Sequence, residues 1–510
     1  MGVPLGKLVS ALGIDPLSVP NMDILGITSD SRQVQFGYLF VAIPGTVQDG
    51  HDFITEAINR GAQAVVIEKP TSNYSCPLIT VSDSRKALAK LAACFWDQPS
   101  RKMKLVGITG TNGKTTTAYM LSHIFRIAAR SAGLISTLEV KCQTHTFPSK
   151  LTTPVADTLQ QYLALMVDEG LEFAVMEVSS QGINTHRIAE LHFDLGILTN
   201  ITLDHLDTHA NFLEYREAKN RFINMLAPDG TVLLNADDLG ARSLLTKLRT
   251  PYFTYGLGPF AQVQANAVQL MSQNSSFLLT ISRPLSTNGK IIQPLELPLV
   301  VNVPGRHNIA NALTAAITAL FYGIDPIAIQ QALATFPGVS RRLQLHRLGE
   351  FIVVDDTALN PASFDAVFEC VATLPYRRLL VTYALRGNRS PAVNRANALT
   401  LAWWAKRLRF HDFLTTCSHE CVCEQDLVSS EEEAAFFDAL TAAGIFPAHF
   451  PKLQPALKTV LDRIGPGDLL LLLGAQGMDY GWELLQRLFL KSEGLAADYS
   501  QHWDALPSLT

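Results

Sequence analysis

The stretch VGITGTNGKTTTAYML, Val106–Leu121, decides the fold. The apolar run KLVGITG (104–110) reads as a buried strand, and KTTTAYMLSHIFRIA after it reads as a helix. The turn between them is Thr109, Gly110, Thr111, Asn112 and Gly113. Such a turn exposes consecutive backbone N–H groups, and the helix behind it adds the positive end of its dipole, so the turn attracts phosphate. Gly110, Thr111, Asn112, Gly113, Lys114, Thr115 and Thr116 are therefore the expected nucleotide cradle. Lys114 would reach the terminal phosphates and Thr115 would meet Mg²⁺. One position departs from the commonest phosphate-loop pattern, which would put a glycine at 108, where this chain has Ile108.

Outward from that loop, apolar runs alternate with helix-like stretches. AVVIE (64–68), EFAVMEV (172–178), LGILTN (195–200), TVLLNA (231–236), FIVVDD (351–356), RLLVTYA (378–384) and LLLLLG (469–474) are nearly all apolar. That composition suits parallel strands covered on both faces by crossover helices, so the fold class is α/β. A chain of 510 residues is too long for one core. Polar, proline-containing WDQPSRKMK (96–104) and LATFPGVSRRLQ (333–344) mark the boundaries. The expected units are 1–99, 100–337 and 338–492, followed by a tail, 493–510; the middle unit carries a parallel phosphate-loop sheet and a hairpin at RPLSTNGKIIQ (283–293).

Composition narrows the function classes. A net charge of -5 without a basic block argues against a nucleic-acid partner. No basic start followed by a long apolar stretch reads as a signal peptide, and LLLLLG is too short to span a bilayer. Seven scattered cysteines suit a reducing cytosol. Cys417, His419, Cys421 and Cys423 crowd into TTCSHECVCE without the second ligand pair of a usual zinc site, and read as reduced thiols near a strand end.

Downstream of the loop, Glu177 ends a strand in FAVMEVSS, where a carboxylate can hold Mg²⁺ opposite the phosphates. TNITLDHLDTHANFLEYREAKNRF then packs Asp204, His205, Asp207 and His209 together, with Lys219 near its end. GTNGKTT, MEVSS and TNITLDHLDTH…Y…AK resemble the ATP loop and central-domain motifs of the Mur ligases, a superfamily shared with folylpolyglutamate and cyanophycin synthetases. The resemblance implies three α/β domains: an N-terminal uridine-nucleotide domain, a central ATP domain and a C-terminal Rossmann-like domain. It implies ATP-dependent amide formation through an acyl phosphate, with ATP and Mg²⁺ as cofactors and small-molecule substrates in the cytoplasm. It makes Lys114, Glu177, His205, Lys219 and Asp356 the catalytic set, and Thr115, Glu177, His205 and a carbamylated Lys219 the Mg²⁺ ligands. The carbamate matters because an ammonium has no lone pair with which to ligate a cation. Asn308 in GRHNIANALTA and Arg342 in SRRLQ fall on nucleotide-side positions.

ITSDSRQVQFGYLFVAIPGTVQDGHDFITEAINRGAQAVV (27–66) resembles the first domain of that family's tripeptide-synthetase branch. Ser31, Arg32 and Thr46 there, with Thr152, Thr153, Ser179 and Arg187 in the middle domain, fall on segments that hold a UDP-muramyl peptide. The last domain departs from the family. In DDTALNP, Asp356 and Asn360-Pro361 remain, but Leu359 replaces a histidine, and GAQGMD (474–479) replaces the Gly-Lys-Gly-His-Glu end motif. The amine is therefore open. So are two alternatives, a paralogue that binds without ligating and a ligase with a different acceptor. ALRGNR (384–389) adds Arg386 and Arg389, which suit a carboxylate or phosphate or a solvated loop.

Overall fold

A computed structural model describes residues 2–45, 48–70, 74–202, 212–287 and 289–492. Thr46, Asp204, His205, Asp207 and His209, as well as the tail from 493, lie outside the described residues. Three large sheets organise the chain, and all eight apolar runs named above contain strands.

The strand Lys104–Thr109 lies in the middle of the largest sheet, parallel to Phe173–Glu177 on one side and Leu195–Leu198 on the other. Its two faces feed two cores. Val106 and Ile108 join one apolar cluster with Ala118, Leu121 and Phe125 of the following helix, Lys114–Ile127. Leu105 joins the other, with Met176 and Leu198. Ile108 is fully buried within the strand, so the turn begins two residues later, at Gly110. A glycine at 108 would only remove packing from that core.

The parallel portion runs Ala132–Ile135, Phe173–Glu177, Lys104–Thr109, Leu195–Leu198, Thr231–Asn235, Tyr252–Gly256. The expectation of a parallel central sheet holds for these strands and fails at the edges. Glu139–Lys141 and Thr146–Pro148 extend one edge antiparallel. On the other edge, Val263–Leu270 pairs parallel with Tyr252–Gly256 and antiparallel with Ser275–Ile281, which pairs antiparallel with Leu295–Val301. Ser275–Ile281 buries every second residue, which is what a sheet covered on one face requires. The helix Arg306–Phe321 shares that covering core. The hairpin expected at 283–293 is present as Leu285–Thr287 paired antiparallel with Lys290–Ile292.

The N-terminal sheet is four parallel strands, Gly26–Thr28, Tyr38–Val41, Ala62–Ile67 and Leu78–Thr80. It meets the central domain where the helices Ser84–Phe95 and Ala156–Asp168 pack together, with Ala156 in the N-terminal core. A buried carboxylate seals this contact: Asp157 accepts from Ser29 N at 2.9 Å and from Thr158 N at 2.7 Å. Desolvation raises the Asp157 pKa, opposed by those hydrogen bonds. Asp157→Ala leaves the Ser29 N–H without its acceptor and should cost about 1–3 kcal/mol. The first thermal transition should fall, while Asp157→Asn, which keeps an acceptor, falls less.

The C-terminal sheet has six strands, in the order Gln344–Leu348, Phe351–Asp356, Leu469–Leu473, Leu379–Ala384, Asp412–Thr416, Ala448–Phe450, parallel except for the first pair. Leu469–Leu473 is central and its five leucines are fully buried, so the most apolar run of the chain is sheet interior. Among the described residues no helix is long and apolar enough to cross a membrane.

Candidate active site

Three parallel strands end at one edge of the central sheet and deliver the site. Lys104–Thr109 leads into the phosphate loop, Phe173–Glu177 ends on its carboxylate, and Leu195–Leu198 leads into Thr199 and Asn200. The carboxyl ends of parallel strands are where open α/β sheets bind ligands. These elements, with the helix Arg306–Phe321 and loops of the C-terminal domain, enclose a cavity of about 820 Å³.

The loop is held in shape from behind. Asn112 N donates to Asn200 Oδ1 at 2.8 Å, while Thr199 Oγ1 and Asn200 Nδ2 donate to Asn112 O at 2.7 and 3.0 Å. Thr111 Oγ1 pairs with Tyr215 Oη at 3.0 Å. Gly110 and Gly113 have φ of +149° and +88°, where a side chain is strained. Lys114 Nζ donates to Gly110 O and Thr111 O at 2.9 Å each, which places the ammonium over the turn. Thr116 lines the same wall.

Glu177 is fully buried and well bonded. It accepts from Thr115 Oγ1 at 3.0 Å, Thr137 N at 2.8 Å and Thr137 Oγ1 at 3.2 Å. A hydroxyl and a carboxylate beside a phosphate loop form the hard oxygen donor set that Mg²⁺ takes, so the residues present fit that ion. Lys219 is only 1 % exposed and faces the cavity, its Nζ 4.4 Å from the centre of the Tyr215 ring. It is not a solvated helix lysine.

Asn308 and Asn311 form a buried pair on the far wall: Asn311 Nδ2 donates to Asn308 Oδ1 at 3.2 Å, and Asn308 Nδ2 to Pro304 O at 2.7 Å. His307 stands beside them, and desolvation pushes its imidazole down to about 4, so it is neutral at pH 7. The C-terminal domain contributes Arg342, Asp356, Leu359, Arg386 and Arg389. Arg342 Nε is buried and has no partner among the described residues. Asp356 Oδ2 accepts from Leu343 N at 2.7 Å; burial raises its pKa, opposed by the Arg342 charge. The two domains touch through a reciprocal amide pair, in which Asn112 Nδ2 donates to Asn360 Oδ1 and Asn360 Nδ2 donates to Asn112 Oδ1, both at 3.2 Å.

The cavity therefore gathers Lys114, Glu177, Lys219, Asp356, Asn308, Arg342, Thr152, Ser179 and Arg187 from segments up to 242 residues apart (356 − 114). Thr153 lies beneath it: its buried hydroxyl donates to Glu177 O at 3.0 Å and accepts from Ser179 N at 2.9 Å, holding the carboxylate's strand end. Ser31 and Arg32 do not face the cavity. Ser31 Oγ donates to Glu56 at 3.0 Å, and the exposed Arg32 pairs with Asp30. Thr137 and His307 also line the cavity without having been singled out in the sequence, and so does Tyr215, the tyrosine of the TNITLDHLDTH…Y…AK motif. Thr137 could have been found, because it follows Ala132–Ile135, the strand beside the one that ends in Glu177. A smaller cavity of about 230 Å³ lies between the first two domains, lined by Ser29, Arg85, Thr185 and Arg187, and Arg85 was also missed.

Comparison with known proteins agrees with this fold. Residues 23–96 match the catalytic domain of the Mur ligase family, 108–319 the Mur ligase middle domain, and 341–476 the Mur ligase glutamate ligase domain. The UDP-N-acetylmuramoyl-L-alanyl-D-glutamate–2,6-diaminopimelate ligase of Bacillus velezensis is 36% identical over 394 residues, 76% of this chain and 78% of its own. The protein of the same name from Lactiplantibacillus plantarum is 29% identical over 479 residues, 92% of each chain. The crystal structure of MurF from Acinetobacter baumannii shares the fold with a TM-score of 0.70 at 19% identity, over 96% of this chain and 99% of that one. MurF from Thermotoga maritima, solved with ADP, gives a TM-score of 0.65 at 19% identity, over 92% and 98%. The chain belongs to the Mur ligase family of ATP-dependent, ADP-forming amide ligases.

Proposed function

We propose that this chain joins a carboxylate of a UDP-N-acetylmuramyl-peptide acceptor to an amino acid or other amine, at the expense of ATP and with Mg²⁺ as the required ion. One observation carries the reading: the phosphate loop, Glu177 and Lys219 of the central domain share one cavity with Arg342 and Asp356 of the third domain. The phosphate loop and Lys114 bind the nucleotide's phosphates and offset charge on the phosphoryl group as it passes to the acceptor carboxylate. The amine nitrogen then attacks the acyl carbon, forming the C–N bond and losing a proton, as the C–O bond breaks and inorganic phosphate leaves. Thr115, Glu177, Lys219 and His205 are the proposed Mg²⁺ ligands, and the ion would supply charge neutralisation at the transferring phosphoryl group. Carbamylation turns Lys219 from a buried cation into an anionic oxygen donor. Arg342, with its unpartnered Nε, supplies a donor from the third domain to the nucleotide. Arg85 and Arg187 in the smaller cavity suit the diphosphate of the acceptor. Loss of the family's histidine at Leu359 and of its end motif leaves the amine to be found by experiment. The wall that replaces them contains Leu359, Arg386, Arg389, Gln476 and Asp479.

The test is inorganic phosphate release from ATP, screened over UDP-muramyl peptides and amines in pairs. Release is expected only when acceptor, amine and Mg²⁺ are all present. Measurable ATP binding without release for any pair would identify a binding paralogue and overturn the ligase reading.

A further inference from the structure

The C-terminal domain holds a second cluster of cation-binding side chains. Cys417, Glu433 and His449 bring one sulfur, one oxygen and one nitrogen atom within 4.8 Å of one another, the one such group of three or more among the described residues. His449 Nε2 stands 3.3 Å from Glu433 Oε1 and 3.9 Å from Cys417 Sγ. Cations of the zinc class sit about 2.0–2.3 Å from such donors, so neighbouring donors in a tetrahedral shell lie about 3.3–3.5 Å apart. The His449–Glu433 separation already has that value. The His449–Cys417 separation is slightly wider, and Glu433, 38% exposed, is free to adjust.

The fold brings these residues together in a way the sequence hides. Asp412–Thr416 pairs in parallel with Ala448–Phe450, with Thr415 opposite His449. Cys417 N continues the pairing by donating to Phe450 O at 3.3 Å. Glu433 comes from the first turn of the helix Ser430–Ala442. His449 Nδ1 and Thr415 Oγ1 share a hydrogen bond at 3.0 Å, and the other ring nitrogen, Nε2, is directed to Cys417 and Glu433. A metal-ligating histidine usually holds its other ring nitrogen in such an outer hydrogen bond. Phe437 packs edge-on against the ring at 4.9 Å. The cysteine is buried and the other two ligands are half-buried, so the site has a protein floor and an opening to solvent. Of the local run of thiols, Cys417 supplies a ligand, whereas Cys423 Sγ donates a hydrogen bond to Asp426 Oδ2 at 3.2 Å.

We propose that Cys417, Glu433 and His449 bind a divalent cation of the zinc class, with its fourth position open to water. The mixed sulfur, nitrogen and oxygen set selects such an ion over Mg²⁺ or Ca²⁺. None of the three ligands lines the catalytic cavity, and the site reaches that cavity through one residue. Glu432, next to Glu433, accepts from Arg389 N at 2.7 Å, Ser390 N at 2.9 Å and Asn388 N at 3.3 Å. Asn388 and Arg389 line the cavity on the side of the third domain. A cation on Glu433 therefore fixes the helix start that holds this loop. The proposal is independent of the ligase reading, because the thiolate signal needs no turnover.

The full chain, treated with chelator and dialysed, is titrated with Co²⁺. The expected result is one equivalent bound with a thiolate-to-cobalt charge-transfer band and intense tetrahedral ligand-field bands, both displaced by one equivalent of Zn²⁺. Cys417→Ser should abolish the charge-transfer band, and His449→Ala should weaken Co²⁺ binding at least tenfold. Cys421→Ser and Cys423→Ser should keep the band, which also shows that the domain tolerates thiol removal. Zn²⁺ should raise the melting temperature of the unmodified chain and not of Cys417→Ser. Absence of the band in the unmodified chain, its survival in Cys417→Ser, or its loss in Cys421→Ser would each overturn the proposal and leave a hydrogen-bonded trio without a metal.

Discussion

Lys219→Ala is expected to lower amide formation by roughly 10³-fold or more, the scale seen when a preorganised charge at a transferring group is removed. The side chain is buried against Tyr215 in the wall of the cavity that also holds Thr115 and Glu177. An ammonium there brings a second positive charge next to Mg²⁺, whereas a carbamate brings an oxygen ligand. The distinguishing measurement is phosphate release with both substrates, in buffer depleted of CO₂ and then resupplied with bicarbonate. The unmodified chain should lose activity on depletion and regain it on resupply; Lys219→Ala should respond to neither. Full activity in Lys219→Ala would remove the carbamate from the mechanism. A melting temperature close to that of the unmodified chain would show that the loss is chemical.

Gly110→Ala is the second large expected effect. At this position φ is +149°, and an added Cβ would come 1.8 Å from Thr199 Oγ1 and 3.1 Å from Asn200 N. Either the turn or the Thr199–Asn200 segment must move, yet that segment holds Asn112 by three hydrogen bonds. The loop cannot keep its N–H groups aimed at phosphate under that displacement. Strain at such a position costs about 1–3 kcal/mol, equivalent to a loss in ATP affinity of roughly 5- to 150-fold. Calorimetric titration with a non-hydrolysable ATP analogue reads it directly. Unchanged affinity would mean that the nucleotide does not sit on this loop.

The phosphate loop was legible because its signal is local. A strand, a glycine turn and Lys-Thr-Thr occur in one run of chain, and Ile108 proved to be strand interior where the commonest pattern would have a glycine. Glu177 was legible for the same reason, as an acid at a strand end. Thr153 lies on a segment expected to hold the substrate, and in the structure its buried hydroxyl bonds Glu177 O and Ser179 N at that strand end. Ser31 was given a substrate role, and its hydroxyl is directed to Glu56. In both, the residue type is compatible with a site, and the direction of the side chain is visible only in the folded chain. The antiparallel edge of the central sheet was not legible, because half-buried strands such as Ser275–Ile281 carry apolar residues on both faces.

The sequence by itself determined the α/β class, the position of the phosphate loop and the acid-bearing strand end beside it, because each is written in a short run whose backbone geometry follows from its residues. Only the tertiary structure decided which distant segments meet. The reciprocal pair of Asn112 and Asn360 and the convergence of Cys417, Glu433 and His449 both depend on strand order and helix packing. Strand order is set by the burial of whole sheets, a sum over contacts that no short stretch of chain contains.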